Sequence, residues 1–262
     1  MDGDDGEGAP MDCIVLAGGF ARRLLPLTEN TPKPLLPVGG RPILSYTVDR
    51  LKGLTGLGKV YMTTNRRFWH HFRDFMDAEC GDLSCELFIE DAEAEGQKLG
   101  SVGALHHLVT KTAMHGDCLV IGGDNLFDFD LGSFVEFHRK VRGSVVALHD
   151  VKSLEKASLY GIARLDRDHR MLELLEKPRD PPSTLASTAC YLFSGEAMRA
   201  LSTYIKEGNS PDAAGHFVAW LCKRFPVFGF VFGGLWFDIG SKESYAEADA
   251  LFWKLGGGRP PS

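Results

Sequence analysis

The chain alternates between two hydrophobic periods. Cys13–Leu16 opens with the apolar, β-branched run Ile14-Val15-Leu16, the pattern of a buried strand. From Arg41 to Leu54 the apolar positions shift to helical spacing, with Ile43, Leu44, Val48 and Leu51 forming one stripe. Lys59–Thr64 then reads as a strand, Phe68–Ala78 as a helix and Cys85–Ile89 as a strand. Gly100 precedes a helix carrying Val102, Leu105, Leu108 and Val109, and Asp117–Asn125 is the most apolar strand. A helix over Leu131–Val141 and a strand over Ser144–Leu148 extend the series. Strands that alternate with helices predict an α/β fold, a Rossmann-like and mostly parallel sheet flanked by helices.

The rhythm changes after Leu148. Tyr160–Leu165, the turn-rich Asp166–His169 and Met171–Leu175 predict a small antiparallel hairpin inserted in that sheet. Leu185–Phe193 is a further buried strand, followed by amphipathic helices near Glu196–Tyr204 and Gly215–Arg224. Phe228–Gly240 predicts a hairpin turning at Gly233-Gly234. Ser241 then caps a last helix whose stripe is Tyr245, Ala248, Phe252 and Leu255. No linker divides this series, so residues 11–255 are expected to form one domain, between an acidic disordered tail (1–10) and a flexible tail (256–262).

Composition narrows the classes of function. No run approaches the roughly 18 apolar residues a membrane helix requires. The net charge is −6, and four of the acids, Asp2, Asp4, Asp5 and Glu7, fall in the first ten residues. The rest is nearly neutral and lacks the basic footprint of a nucleic-acid binder. MDGDDGEGAP has neither the basic nor the apolar part of a signal peptide, so a cytoplasmic protein is expected. The six cysteines contain no C-x-x-C pair and are expected as free thiols; His70, His71, Cys80 and Cys85 match no standard zinc spacing.

The candidate chemistry starts between Cys13 and Leu36. Gly18 and Gly19 allow close backbone approach, and Arg22, Arg23 and Lys33 add fixed positive charge, so this loop is expected to hold phosphate. It fits neither G-x-x-x-x-G-K-[ST] nor G-x-G-x-x-G, which lowers P-loop enzymes and dinucleotide readers. Asp124 ends the most apolar strand after two glycines, at the edge of the sheet where ligands gather. That position suits a magnesium ligand or an Asx-turn.

LAGGFARRLLPLT followed by PKPLLPV resembles the amino-terminal signature of the nucleotide-sugar pyrophosphorylases, the sugar-phosphate nucleotidyltransferases. LGSVGAL, GDNLF, the YGIARL…LEKP hairpin, LASTACYLF and Trp236–Gly240 resemble further motifs of that family, in its short form similar to glucose-1-phosphate thymidylyltransferases. No hexapeptide repeats follow them.

The resemblance implies a GT-A-like fold and a transfer from a nucleoside triphosphate to a sugar 1-phosphate, with dTTP or UTP and glucose 1-phosphate as the pair. Leu16, Ala17, Gly18, Gly19 and Gly100 would bind the nucleotide, and Asp124 and Asp238 would hold Mg2+. Arg23 and Lys33 would stabilise the triphosphate and Lys177 steer the sugar phosphate, completing a catalytic set of Arg23, Lys33, Asp124, Lys177 and Asp238. Asn125, Gly161, Glu176, Lys177, Ser187 and Thr188 would line the sugar side. Neither nucleic acid nor membrane is an expected partner, and a homo-oligomer is left open.

Four positions depart from the family pattern: Ala21 and Ala189 replace glycine, Arg22 replaces Thr or Ser, and Leu175 replaces a glutamate. They keep two other readings open, a cytidylyltransferase for phosphocholine or inositol phosphate and a non-catalytic nucleotide-sugar-binding regulator. Glu176 favours a polyhydroxy acceptor, since a carboxylate accepts bonds from vicinal hydroxyls. Gln97, near the turn expected against the base, reads as a surface residue.

Overall fold

A computed structural model of the chain describes residues 10–256, so most of both expected tails lies outside the described residues. The first half contains β1 (Met11–Leu16), β2 (Pro37–Val38), β3 (Arg41–Pro42), α1 (Ile43–Lys52), β4 (Leu57–Asn65), α2 (Trp69–Glu79), β5 (Cys85–Glu90), α3 (Ser101–Thr112), β6 (Cys118–Gly122), β7 (Asn125–Phe127) and α4 (Leu131–Val141). The second contains β8 (Ser144–Asp150), α5 (Leu154–Ala157), β9 (Gly161–Leu165), β10 (Met171–Glu176), β11 (Leu185–Phe193), α6 (Gly195–Lys206), α7 (Ala214–Leu221), β12 (Val227–Phe232), β13 (Trp236–Asp238) and α8 (Lys242–Lys254).

The architecture is the expected α/β one. A central sheet runs β10-β9-β11-β6-β1-β4-β5, with β8 paired to β11 and β12 to β8. Its core, β6-β1-β4-β5, is parallel, as is the β8–β12 pair. The antiparallel strand β11 joins β6 to β8 and β9, and β9–β10 is the expected small hairpin. Strands with both faces covered need apolar residues at every position. β6 meets that requirement, being buried throughout. Ile14 of β1 joins one core cluster with Phe193 and Phe217, while Cys13 and Val15 face a second with Leu119, Phe72 and Phe134. Alternate side chains thus feed two helical layers.

Four details differ from the sequence pattern. First, Asp117–Asn125 is not one strand. Gly123 donates its amide to the Leu16 carbonyl (2.9 Å), which turns the chain after Gly122 and starts β7 in a different direction. Second, Phe228–Gly240 is not a hairpin. β12 pairs in parallel with β8 over its whole length, burying Val227 and Phe232, whereas β13 pairs antiparallel with β7. Gly234, at φ +89°, makes the crossing between the two sheets, where Asp128 leaves no room for a Cβ. Third, Leu255 lies beyond α8 and is 61% exposed, so the buried part of that helix is Ala248 with Tyr245 and Phe252 against it. Fourth, α5 is one capped turn, too short to show a periodic stripe; its Ser153 cap accepts from Lys156 N–H.

The cysteines are free thiols. Among the described residues no helix is long and apolar enough to cross a membrane. Among the described residues no group of three or more His, Cys, Asp or Glu is placed together as a metal cluster.

Candidate active site

The carboxyl ends of β5, β4, β1 and β6 open into a cleft of about 990 Å³. It continues along the start of β9, the end of β10 and the middle of β11. Thirteen of the residues singled out in the sequence line it: Leu16, Gly18, Gly19, Arg23, Gly100, Asp124, Asn125, Gly161, Glu176, Lys177, Ser187, Thr188 and Asp238. Ala17 and Lys33 stand behind its wall. Ala17 is buried and donates its amide to Thr63 Oγ1 (3.2 Å), fixing the loop as it leaves β1. Asn65 at the end of β4 does the same one residue on, donating to the Gly18 carbonyl (3.0 Å).

The centre of the cleft is a charge cluster. Lys33 Nζ forms an ion pair with Asp124 and donates to the Ile239 carbonyl (2.8 Å), which ties the phosphate loop to the ends of β6 and β13. The antiparallel pairing of β13 with β7 sets Asp238 opposite Asn125 and therefore beside Asp124. Asn125 is oriented from both ends: its Nδ2 donates to Asp124 Oδ1 (3.2 Å), and its Oδ1 accepts from Trp236 Nε1 (2.9 Å). Burial, then the neighbouring Asp124 charge, pushes the Asp238 carboxyl up to about 6. Lys33, Lys177 and Arg23 pull in the opposite direction and do not cancel it. All five residues of the expected catalytic set therefore share one electrostatic neighbourhood.

This arrangement has a definite chemical capacity. Two adjacent carboxylates, one desolvated and holding its proton too tightly, present hard oxygen donors to a dication, and phosphate oxygens complete such a coordination shell. The residues present thus fit Mg2+ bound together with a phosphorylated ligand. Arg23 and Lys177 face the open space with donors for phosphate oxygens.

At the far end the Glu176 carboxylate is seated between two glycines. A Cβ at Gly215 would lie 2.6 Å from Glu176 Oε2, and one at Gly161 3.0 Å. Gly215, at the start of α7, carries no sequence signal of its own, because nothing local shows that a residue from β10 will pack on it. Beside it Ala189 bulges out of β11: the register with β8 slips between Ser187 and Tyr191, and Ala189 sits at φ +52°. At this slip Ser187, Thr188 and Ala189 line the cleft, with Thr188 buried and its Oγ1 donating to the Ala147 carbonyl.

The near end was only partly legible in the sequence. Gly100 holds φ +77°, and a Cβ there would lie 2.5 Å from the Pro211 carbonyl oxygen. Gln97 folds back locally, accepting from the amides of Glu93 and Ala94, and Glu95 pairs with Lys98 (2.7 Å). Two carboxylates reach the cleft at this end, Glu90 from the last position of β5 and Asp212 beside Gly100. The signal for Glu90 was its place at the end of a strand.

Fold and site together define an α/β protein with a cleft where parallel strands end, lined by cations and a carboxylate pair. The chain belongs to the nucleotidyl transferase family, whose model matches residues 12–253. It is 29% identical to the bifunctional protein GlmU of Methanococcus aeolicus over 247 residues, covering 93% of this chain and 55% of the relative. It is also 29% identical to mannose-1-phosphate guanylyltransferase of Mycobacterium tuberculosis over 245 residues, covering 92% and 64%. The chain thus spans a little over half the length of these curated relatives. The crystal structure of a protein assigned as glucose-1-phosphate thymidylyltransferase from Bacillus anthracis, in complex with sucrose, superposes with a TM-score of 0.80 at 28% identity, covering 95% of this chain and 98% of that one.

Proposed function

We propose that this protein is a magnesium-dependent nucleotidyltransferase that joins a nucleoside triphosphate to a sugar 1-phosphate, releasing pyrophosphate and forming a nucleoside diphosphate sugar. The observation that carries the reading is the shared charge cluster of Asp124 and Asp238 with Arg23, Lys33 and Lys177, in a cleft of about 990 Å³.

The sugar phosphate is itself an anionic nucleophile, so the transfer needs alignment and charge compensation rather than a dedicated base. Asp124 and Asp238 would hold Mg2+, which when bound would supply charge neutralisation on the triphosphate. Gly18 and Gly19 let the backbone approach the phosphates, and Arg23 balances the charge that builds on departing pyrophosphate. Lys33 keeps Asp124 aimed from behind. Lys177 guides the acceptor phosphate toward the α-phosphorus. Glu176, held between Gly161 and Gly215, accepts bonds from sugar hydroxyls, which favours a sugar phosphate over phosphocholine. The pair dTTP or UTP with glucose 1-phosphate is one member of this class, resting on the chain's short-form resemblance.

Asp124→Ala is expected to lower pyrophosphate release by roughly a hundredfold or more. The assay combines magnesium, the common nucleoside triphosphates and a panel of sugar 1-phosphates, with phosphocholine and inositol phosphate included. Near-normal release by the variant would remove the metal assignment. No release by the wild type with any pair would favour a non-catalytic sugar-nucleotide binder.

A further inference from the structure

The carboxylate pair rests on a small core of its own. Leu24, Leu36, Leu126, Ile239 and Ala248 are buried together, apart from the two clusters that fill the faces of the central sheet. Four of them neighbour the charged residues of the site in sequence: Leu24 follows Arg23, Leu36 comes shortly after Lys33, Leu126 shortly after Asp124, and Ile239 follows Asp238. Ala248 enters from α8 and is fully buried. α8 has no part in the mechanism above, yet it closes the core on which four of the five charged residues are mounted.

α8 also grips the chain beyond Lys33 through polar contacts. Tyr245 donates its hydroxyl to the Pro37 carbonyl (2.7 Å), and Asp249 Oδ1 accepts from the Gly39 amide (2.8 Å). Gly39 is buried at φ +57°, and a Cβ there would lie 2.8 Å from Phe252 Cβ, so the helix meets bare backbone. A buried amide needs a partner, and Asp249 supplies one with a charge-assisted bond. Between Gly39 and Lys33 the chain is stiff. Lys33–Leu35 is a 3-10 turn, the Leu36 amide donates to the Lys33 carbonyl (3.1 Å), and the Ile43 amide donates to the Leu36 carbonyl (3.0 Å). The position of Gly39 is thereby passed to Lys33, whose Nζ holds Asp124 and the Ile239 carbonyl (2.8 Å). Just past Ile239, Ser241 caps α8 by accepting from the Ser244 amide (3.2 Å). The contacts form a closed ring, from α8 to Gly39, to Lys33, to Asp124 and Ile239, and back to α8.

We propose that Asp249 is a positioning residue: by holding the Gly39 turn on α8 it keeps Lys33 set against Asp124, and so aligns the carboxylate pair for a metal and phosphate bound together. The inference rests on the proposed function of that pair. Asp249 does not line the cleft and acts through Lys33. Among the described residues, β9 and β10, which carry the acceptor side, contribute nothing to this core. The sugar phosphate should therefore not sense Asp249.

Magnesium pyrophosphate, the product common to every substrate pair, is a probe independent of base and sugar, and its calorimetric titration needs no catalysis. Asp249→Ala is expected to bind it roughly tenfold more weakly than wild type, the loss that follows when the support behind a metal ligand is removed. Asp249→Asn keeps Oδ1 as an acceptor for the Gly39 amide and is expected to stay within about threefold of wild type. In turnover, Asp249→Ala should lose about tenfold in kcat and require more magnesium, with the KM for the sugar 1-phosphate unchanged. The two large cores contain no α8 residue, so its circular dichroism spectrum should stay native. Wild-type pyrophosphate affinity in Asp249→Ala, an equal loss in Asp249→Asn, or a parallel rise in the sugar 1-phosphate KM would each overturn the assignment. If Asp249→Ala does not fold, Asp249→Glu, which displaces the same charge by one methylene, decides: weaker pyrophosphate binding keeps the assignment and wild-type affinity removes it. Asp249-dependent pyrophosphate binding in a protein that releases none from any substrate pair would remove the proposed function and keep the positioning role. Normal release, with binding that ignores Asp249, would do the reverse.

Discussion

Two substitutions away from glycine occupy backbone that glycine suits. Ala21 stands at φ +47°, ψ +45°, and Ala189 at φ +52°, both left-handed conformations in which a Cβ crowds the backbone. Each is held by its surroundings. Thr28 Oγ1 donates to the Ala21 carbonyl (3.0 Å), and Leu24 inserts behind that loop, 1% exposed. Thr188 Oγ1 donates to the Ala147 carbonyl (3.0 Å) beside Ala189. The loop therefore keeps its turn without the glycine, at a cost in strain. Ala21→Gly is expected to stabilise the protein by about 0.5–1 kcal/mol, the relief of strain exceeding the added freedom of the unfolded chain. Urea denaturation measures this directly, and a destabilised Ala21→Gly would show that the methyl contributes packing instead. Sequence identifies both positions as departures from a motif; only the φ angles show what they cost.

At the scale of elements, the decisive pairing is β7 with β13. Neither is longer than three residues, and each is one side of a break that the hydrophobic pattern runs straight through, so alternation alone joins Asn125 to β6 and Trp236 to β12. Their pairing brings Asp124 and Asp238 together, and this sets a pH dependence. Asp238 has a folded pKa of about 6, above an unfolded value near 3.9. A carboxyl with a raised folded pKa lends stability that is complete below the unfolded value and is lost as pH rises through about 6. Above that pH the metal-free protein carries an ionised, desolvated Asp238 at a cost on the order of 3 kcal/mol. Asp238→Asn without magnesium is therefore expected to melt several degrees higher than wild type at pH 8, with the gap closing toward pH 4. An equal Tm at pH 8 would show that the carboxylate is not under that load. Activity should move the other way, since the amide is a poorer partner for a dication.

For the whole molecule, the cleft spans the sheet from β5 to β10, so a bound nucleotide and sugar would touch elements from both halves of the chain. A ligand with such contacts stabilises the fold by mass action, about 2.7 kcal/mol at a hundred times its dissociation constant. If the proposed function holds, a nucleoside triphosphate with magnesium should accordingly raise Tm measurably more than either alone, because the metal would be held by phosphate and the two carboxylates together. Additive effects in a thermal-shift titration would contradict joint binding.

The sequence by itself determined the α/β class, the order of elements, the small hairpin and most residues of the cleft. Those properties are written in local periods and in contiguous motifs: apolar runs in β1 and β6, the helical stripe of α4, the glycines and arginines after Leu16. Tertiary structure decided which residues meet across long separations. Lys33 reaches Ile239 across 206 positions, Trp236 aims Asn125 across 111, and Gly215 makes room for Glu176. It also turned Gln97 back onto the amides of Glu93 and Ala94 and brought Glu90 to the cleft, since a loop's direction after β5 depends on what it packs against. The physical reason is the same in each case. Periodicity reports which face of an element is buried, whereas a site is made where the ends of distant strands converge, and sheet order and register alone set that convergence.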